Sequence, residues 1–272
     1  MQGPFHDRSA GRLRLAALLL VLPALAGCVR YLPARLRPTP VPIRTLRYPG
    51  TGRPRTLVVL LPGRWDLPED FGRYRFPEIA ARAGAQVDMV AVDAHLGYYY
   101  KNLIVDRLRQ DVIGPARQRY DRIWLAGISI GGTGSLLYAS QHPEDVDGVV
   151  ILAPFLGDDE VTGEVAAAGR LANWRAPEPL APDDFQHRLW VWLQGYTRGP
   201  ARFPLYLGWG EKDSFARANG LLAKELPRER VYTAPGGHDW KAWTALWEQF
   251  VRSGALGRNG VKSEPSGAAR RG

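Results

Sequence analysis

The chain has 272 residues, 45% of them hydrophobic and 23% charged, which is enough to bury the core of one large domain. Lys and Arg outnumber Asp and Glu by 36 to 27, a net charge of +9, but no basic-aromatic array or zinc-finger spacing goes with it, which argues against nucleic-acid binding. A single cysteine excludes an internal disulfide framework.

At the N-terminus, Arg8, Arg12 and Arg14 precede the apolar run Leu15–Leu22, followed by Pro23 and Leu25-Ala26-Gly27-Cys28. The run is short for a membrane-spanning helix and has the charged, apolar and small-residue regions of a secretory signal. Leu-Ala-Gly-Cys resembles the bacterial lipobox. That resemblance implies a lipoprotein signal peptide over residues 1–27, a lipid-modified Cys28 and anchorage at the cell envelope. Val29 in place of an aspartate implies the outer membrane, facing the periplasm, in a Gram-negative cell. Residues 28–54 carry six prolines and six arginines, a composition that suits a semi-extended tether. Within it, Ile43 to Tyr48 fits an edge strand.

Residues 55–253 alternate strand and helix patterns. Apolar strands are expected at Thr56–Leu61, Ala85–Val92, Arg122–Ile128, Gly148–Ala153, Phe203–Trp209 and Arg230–Thr233. Between them, helices are expected at Ile79–Ala83, Lys101–Tyr120, Thr133–Gln141, Phe215–Glu225 and Trp240–Val251. Continuous apolar strands separated by helices predict an α/β fold with a mostly parallel sheet covered on both faces. The rhythm breaks over residues 155–202, a cap-like insertion with Trp174, Trp190 and Trp192, expected to hang over the carboxyl ends of the strands as an apolar or sugar-stacking roof. Residues 254–272 are rich in Gly, Ser and Arg and are expected to be a disordered tail.

The chemistry-bearing motif is Gly127-Ile128-Ser129-Ile130-Gly131-Gly132, at the corner between an apolar strand and a helix. A nucleophilic serine needs such a tight turn, neighbours without bulk and a helix N-terminus to favour developing negative charge. It also needs a base, and the base needs an orienting carboxylate. Asp213 begins the loop after one downstream strand, and His238 follows the last strand in Gly236-Gly-His-Asp-Trp240. Glu211 is a rival for the carboxylate and His95 for the base, although His95 breaks the expected chain order. His6, His142 and His187 read as a leader residue and two surface positions. Tyr98, Tyr99 and Tyr100 fit either an acyl pocket or loop packing, and the Trp240/Trp243/Trp247 stripe fits the core. No metal-ligand spacing and no phosphate-cradling glycine loop is present, so neither metal nor cofactor is expected.

With these motifs the chain resembles the α/β-hydrolase superfamily and, within it, the putative-esterase group of esterase D-type and mycolyltransferase-type proteins. The resemblance covers about residues 55–253. It implies Ser129 as nucleophile, His238 as general base and then acid, and Asp213 as orienting carboxylate. It also implies an oxyanion hole from the backbone N–H of Ile130 and of Arg64 or Gly63, where Pro62 replaces the histidine many members carry. The activity implied is hydrolysis of a small-molecule or lipid carboxylic ester through an acyl-serine. The alternatives are an acyltransferase acting on envelope lipids or glycans, and a catalytically silent surface-binding lipoprotein.

Overall fold

Thr56–Leu61 (β2) is buried at every position, and its side chains divide between two cores. Leu57, Val59 and Leu61 join one apolar cluster, and Val58 and Leu60 the other. That division follows from the two-residue period of a strand, and it requires a layer of helices on each face. The computed structural model describes residues 33–181 and 183–257. The expected leader, Cys28 and the tail beyond residue 257 lie outside them.

Seven strands form one sheet in the order β1-β3-β2-β4-β5-β6-β7. They are β1 (Thr45–Tyr48), β2, β3 (Val87–Val92), β4 (Arg122–Ile128), β5 (Gly148–Leu152), β6 (Leu205–Gly210) and β7 (Val231–Ala234). Only β1 runs antiparallel, pairing Thr45 with Val92 and Tyr48 with Met89; the other neighbours are parallel. This is the α/β-hydrolase architecture expected from the sequence.

One face is covered by α1 (Phe76–Arg82) and by the last helix, Trp240–Arg252. Trp243, Leu246, Trp247, Phe250 and Val251 lie on the buried side of that helix, so two residues of the tryptophan stripe are core, while Trp240 is half-buried at the helix start. Trp247 stacks on Phe76 at 5.0 Å, and its Nε1 donates to the Phe76 carbonyl at 2.9 Å. The other face carries α2 (Leu96–Tyr100), α3 (Ile104–Arg107) and α4 (Ile130–Gln141). The single helix expected over Lys101–Tyr120 is broken. It passes through a π-helical stretch, Leu108–Ile113, into Gly114–Arg117. Pro115 has no N–H for the carbonyl one turn back, and its ring crowds that carbonyl, so the ladder changes register upstream. Ile104, Leu108, Val112 and Ala116 all still face the core.

The insertion contains α5 (Asp159–Ala167) and α6 (Phe185–Arg198), capped by Asp158, which accepts from Val161 N, and Asp184, which accepts from His187 N. Its tryptophans are not the expected roof. Trp174 and Trp190 are buried in the core, and Trp190 Nε1 donates to the Leu156 carbonyl at 2.7 Å. Trp192 packs against Tyr196. The packed chain also exceeds the expected domain limits of 55 and 253. Ile43 and Leu256 are both buried, and Arg122 donates to the Leu256 carbonyl at 2.9 Å. Among the described residues, no helix is long and apolar enough to cross a membrane.

Candidate active site

β4 ends at Ile128, and α4 begins at Ile130, leaving Ser129 alone to make the corner. It does so at φ 53° and ψ −120°, a conformation that costs a non-glycine residue roughly 1–3 kcal/mol. The surrounding glycines are required by close approach. A Cβ on Gly127 would lie 2.2 Å from the Gly131 carbonyl oxygen, and one on Gly131 would lie 2.2 Å from that of Leu61. The turn is held from both sides, Ser129 N donating to Leu152 O at 2.9 Å and Gly132 N to Ser129 O at 2.9 Å.

Asp213 follows β6, its backbone N–H closing a turn onto Gly210 O at 2.9 Å. Its side chain is fully buried and accepts from Phe215 N at 2.8 Å. His238 follows β7 in a loop fixed by the next residue. Asp239 accepts from Ala242 N at 3.0 Å and from Gly237 N at 3.1 Å, capping the last helix. Those bonds, that from Ala242 foremost, hold the Asp239 carboxyl below its usual range. The two loops touch closely: a Cβ on Gly210 would lie 2.5 Å from the Gly237 carbonyl oxygen.

The structure brings Ser129, His238 and Asp213 together. His238 Nδ1 lies 2.9 and 3.0 Å from the two Asp213 carboxylate oxygens, and Nε2 lies 2.9 Å from Ser129 Oγ. Phe215 and Trp243 stand edge-on to the ring at 4.9 and 5.0 Å, limiting its rotation. A proton held on Nδ1 by Asp213 leaves Nε2 free to accept from the serine hydroxyl, which is the geometry of a general base. Glu211, the rival carboxylate, is exposed.

The loop after β2 approaches from the opposite side. Gly63 abuts the serine, since a Cβ there would lie 3.6 Å from Ser129 Cβ. Beyond it stands a residue the sequence did not single out, Asp66. Its carboxylate accepts from Trp240 Nε1 at 2.8 Å and is hydrogen-bonded by the Gly63 backbone. Burial, more than any other influence, raises its proton affinity. No motif marks Asp66; its partner Trp240 is 174 residues away.

The other candidate residues fall elsewhere. His95 caps α2, its Nδ1 accepting from Gly97 N at 3.1 Å, and burial lowers its proton affinity. His142 and His187 are largely covered rather than surface positions, with side chains 16% and 13% exposed. Tyr98 is buried and donates to the Pro40 carbonyl, with its phenol pushed up to about 12, mainly by burial. Tyr100 is exposed. Tyr99 alone of the three lines a cavity of about 580 Å³, together with Ile130, Thr133, Leu137, Phe185 and Leu189. This cavity begins beside the serine's neighbour and follows α4; none of the three catalytic candidates lines it. His142, Glu144 and Asp145 come within 4.8 Å of one another, but Tyr138 donates to Asp145 and Arg109 pairs with it.

The model of the family described as "Putative esterase" matches residues 70–252. No curated protein sequence matches the chain. Among solved structures, the fold is similar to substrate-bound fluorophosphonate-binding serine hydrolase F of Staphylococcus aureus, with a TM-score of 0.52 and 16% identity over 79% of this chain and 98% of that one. S-formylglutathione hydrolase of S. aureus gives a TM-score of 0.52 and 15% identity over 79% of this chain and 96% of that one. A CIB-like hydrolase of Thermoplasma acidophilum gives 0.50 and 16% over 78% and 93%. These likenesses carry the fold, and the family match carries the chemistry: the chain belongs to the putative esterase family and is a serine hydrolase of carboxylic esters.

Proposed function

We propose that Ser129 is the nucleophile, His238 the base and then acid, and Asp213 the carboxylate that orients it. Ser129 Oγ attacks the ester carbonyl as His238 Nε2 takes its proton, giving a tetrahedral oxyanion. The backbone N–H groups of Ile130 and Arg64 receive that charge. Gly63 serves less well, because its backbone is engaged by Asp66. One such donor contributes roughly 3–4 kcal/mol to the transition state. His238 then delivers the proton to the leaving alcohol, and water, activated in the same way, resolves the acyl-serine. The observation that carries this reading is the unbroken hydrogen-bonded chain from Ser129 Oγ through His238 to Asp213.

The substrate proposed is a small-molecule or lipid ester, with the cavity along α4 beside Ile130 receiving its apolar part. The site of action proposed is the cell envelope, reached through lipidation of Cys28, and the motif Leu25-Ala-Gly-Cys28 supports it. The test is intact mass after exposure to a fluorophosphonate probe. The wild type should gain one adduct, and Ser129→Ala and His238→Ala should gain none. An unlabelled wild type, or a labelled Ser129→Ala, refutes the assignment. Mass of the protein recovered from membranes, with and without Cys28→Ser, tests the anchor.

A further inference from the structure

Six large hydrophobic residues are exposed among those described: Leu36, Val41, Trp65, Tyr100, Phe185 and Val191. Four of the six lie on two segments that pack together, residues 34–41 and α2, and on the loop that follows β2. The packing is specific. Lys101 Nζ donates to the Arg37 carbonyl at 2.7 Å, Tyr98 Oη to that of Pro40 at 2.8 Å, and Gly97 lies against Arg37.

The same patch is basic. The Arg35 guanidinium stands 5.7 Å from the Tyr100 ring, and those of Arg37 and Arg64 stand 5.3 and 5.0 Å from the Trp65 ring. Arg37 is itself buried beneath the patch, and Lys101 joins Arg35 and Arg64 as its third exposed cation. Trp65 is 55%, Tyr100 56% and Leu36 68% exposed, so large apolar groups interleaved with arginines face solvent here. Such exposure is a cost to a soluble surface and marks an interaction site. Aromatic side chains flanked by arginine suit the boundary between lipid headgroups and acyl chains, where rings enter the interface and guanidinium groups pair with phosphates.

Two placements favour a membrane over a protein partner. Thr45 pairs with Val92, so the chain preceding β1 leaves the sheet at the carboxyl end of the parallel strands, the end that carries Ser129. Cys28 is also only five residues before Pro33, a distance that extended chain covers in less than about 20 Å. We infer that the patch formed by Leu36, Trp65 and Tyr100 with Arg35, Arg64 and Lys101 docks onto an anionic lipid bilayer, turning the mouth of the active site towards it. The nearness of Cys28 counts only through its proposed acylation, whereas the docking itself requires neither that acylation nor the ester chemistry.

The test uses the full chain carrying Cys28→Ser, which removes acylation and leaves an introduced cysteine as the only one. Spin labels are placed at Leu36→Cys and Tyr100→Cys, with Val191→Cys on α6 as the reference. Each protein is bound to vesicles of mixed phosphatidylglycerol and phosphatidylcholine, and collision with oxygen is compared with collision with a water-soluble nickel chelate. Labels at 36 and 100 should become accessible to oxygen and shielded from nickel, while that at 191 stays aqueous. Arg35→Gln and Lys101→Gln should each weaken partitioning about fivefold at low salt. Labels at 36 and 100 as aqueous as that at 191 overturn the proposal, as does equal partitioning onto pure phosphatidylcholine. Immobilisation of those labels by a second copy without lipid also overturns it, assigning the patch to a protein contact.

Discussion

Asp66 and Trp240 join the two sides of the active site: the carboxylate on the loop after β2 accepts from the indole on the first residue of the last helix at 2.8 Å. Gly63, against Ser129, is tied to the same carboxylate, and Trp240 lies two residues from His238. The bond therefore sets the distance between the proposed oxyanion donors and the base. Asp66→Ala should lower kcat about 10- to 100-fold, the effect of losing a hydrogen bond to a charged acceptor worth roughly 1.5–3 kcal/mol. KM should change far less. A double-mutant cycle with Trp240→Phe checks the coupling: additive losses in kcat would mean the two residues act separately.

Gly131 allows the elbow to pack under the oxyanion loop. An added Cβ would meet the carbonyl oxygens of Leu61 and Pro62 at 2.2 and 2.6 Å, both backbone atoms with little room to yield. Gly131→Ala should destabilise the protein by about 1–3 kcal/mol or more and separate Ser129 from Gly63. Thermal unfolding together with fluorophosphonate labelling rate reads both effects. Unchanged values for both would mean the elbow has more freedom than these distances allow.

Asp213→Asn keeps the shape of the carboxylate but presents an amide to His238 Nδ1. The imidazole then favours the wrong tautomer, and kcat should fall about 10⁴-fold with the fold intact. Circular dichroism with pre-steady-state kinetics is the appropriate pair of measurements. A loss under tenfold would return the orienting role to another acid.

His187 should couple the insertion to pH. Both ring nitrogens face carboxylates, Nδ1 at 2.7 Å from Asp184 and Nε2 at 3.2 Å from Glu164 on the neighbouring helix, and the ring stacks on Trp174. Burial alone would lower its proton affinity, but the bonds to Asp184 and Glu164 outweigh it, so the folded protein holds this proton to higher pH than the unfolded chain. The stabilisation is thus complete below the ordinary histidine range and is lost as pH rises through the folded value. His187→Gln should lower Tm by about 2–4 °C in mildly acidic buffer, the shift expected from roughly 1 kcal/mol in a domain of this size. The gap should close in alkaline buffer, and a gap independent of pH would exclude the protonated form.

The five inner strands are visible in the sequence because buried parallel strands must be largely apolar, and the edge strands β1 and β7 are visible as short β-branched and aromatic runs, β1 within the tether. The elbow is visible because glycine spacing and strand context coincide at Ser129. The break at Leu108–Ile113 is hidden because its apolar spacing matches that of an ordinary helix; only Pro115 marks the fault. α5 and α6 are masked by the prolines between them, although Asp158 and Asp184 stand where helix caps belong. The direction of the insertion's tryptophans depends on contacts with Leu156 and His187, and composition carries no record of those. Asp66 is hidden for the same reason: its importance exists only once Trp240 arrives from the far end of the chain.

The backbone of Ser129 has an evolutionary corollary. At φ 53° and ψ −120° the residue opposes folding, and glycine would relieve that opposition while abolishing the proposed nucleophile. Selection of variants for heat resistance alone would therefore enrich Ser129→Gly, and a library so chosen would drift towards sturdy, inert proteins. Only a screen that demands turnover at every round keeps the serine in its uncomfortable corner.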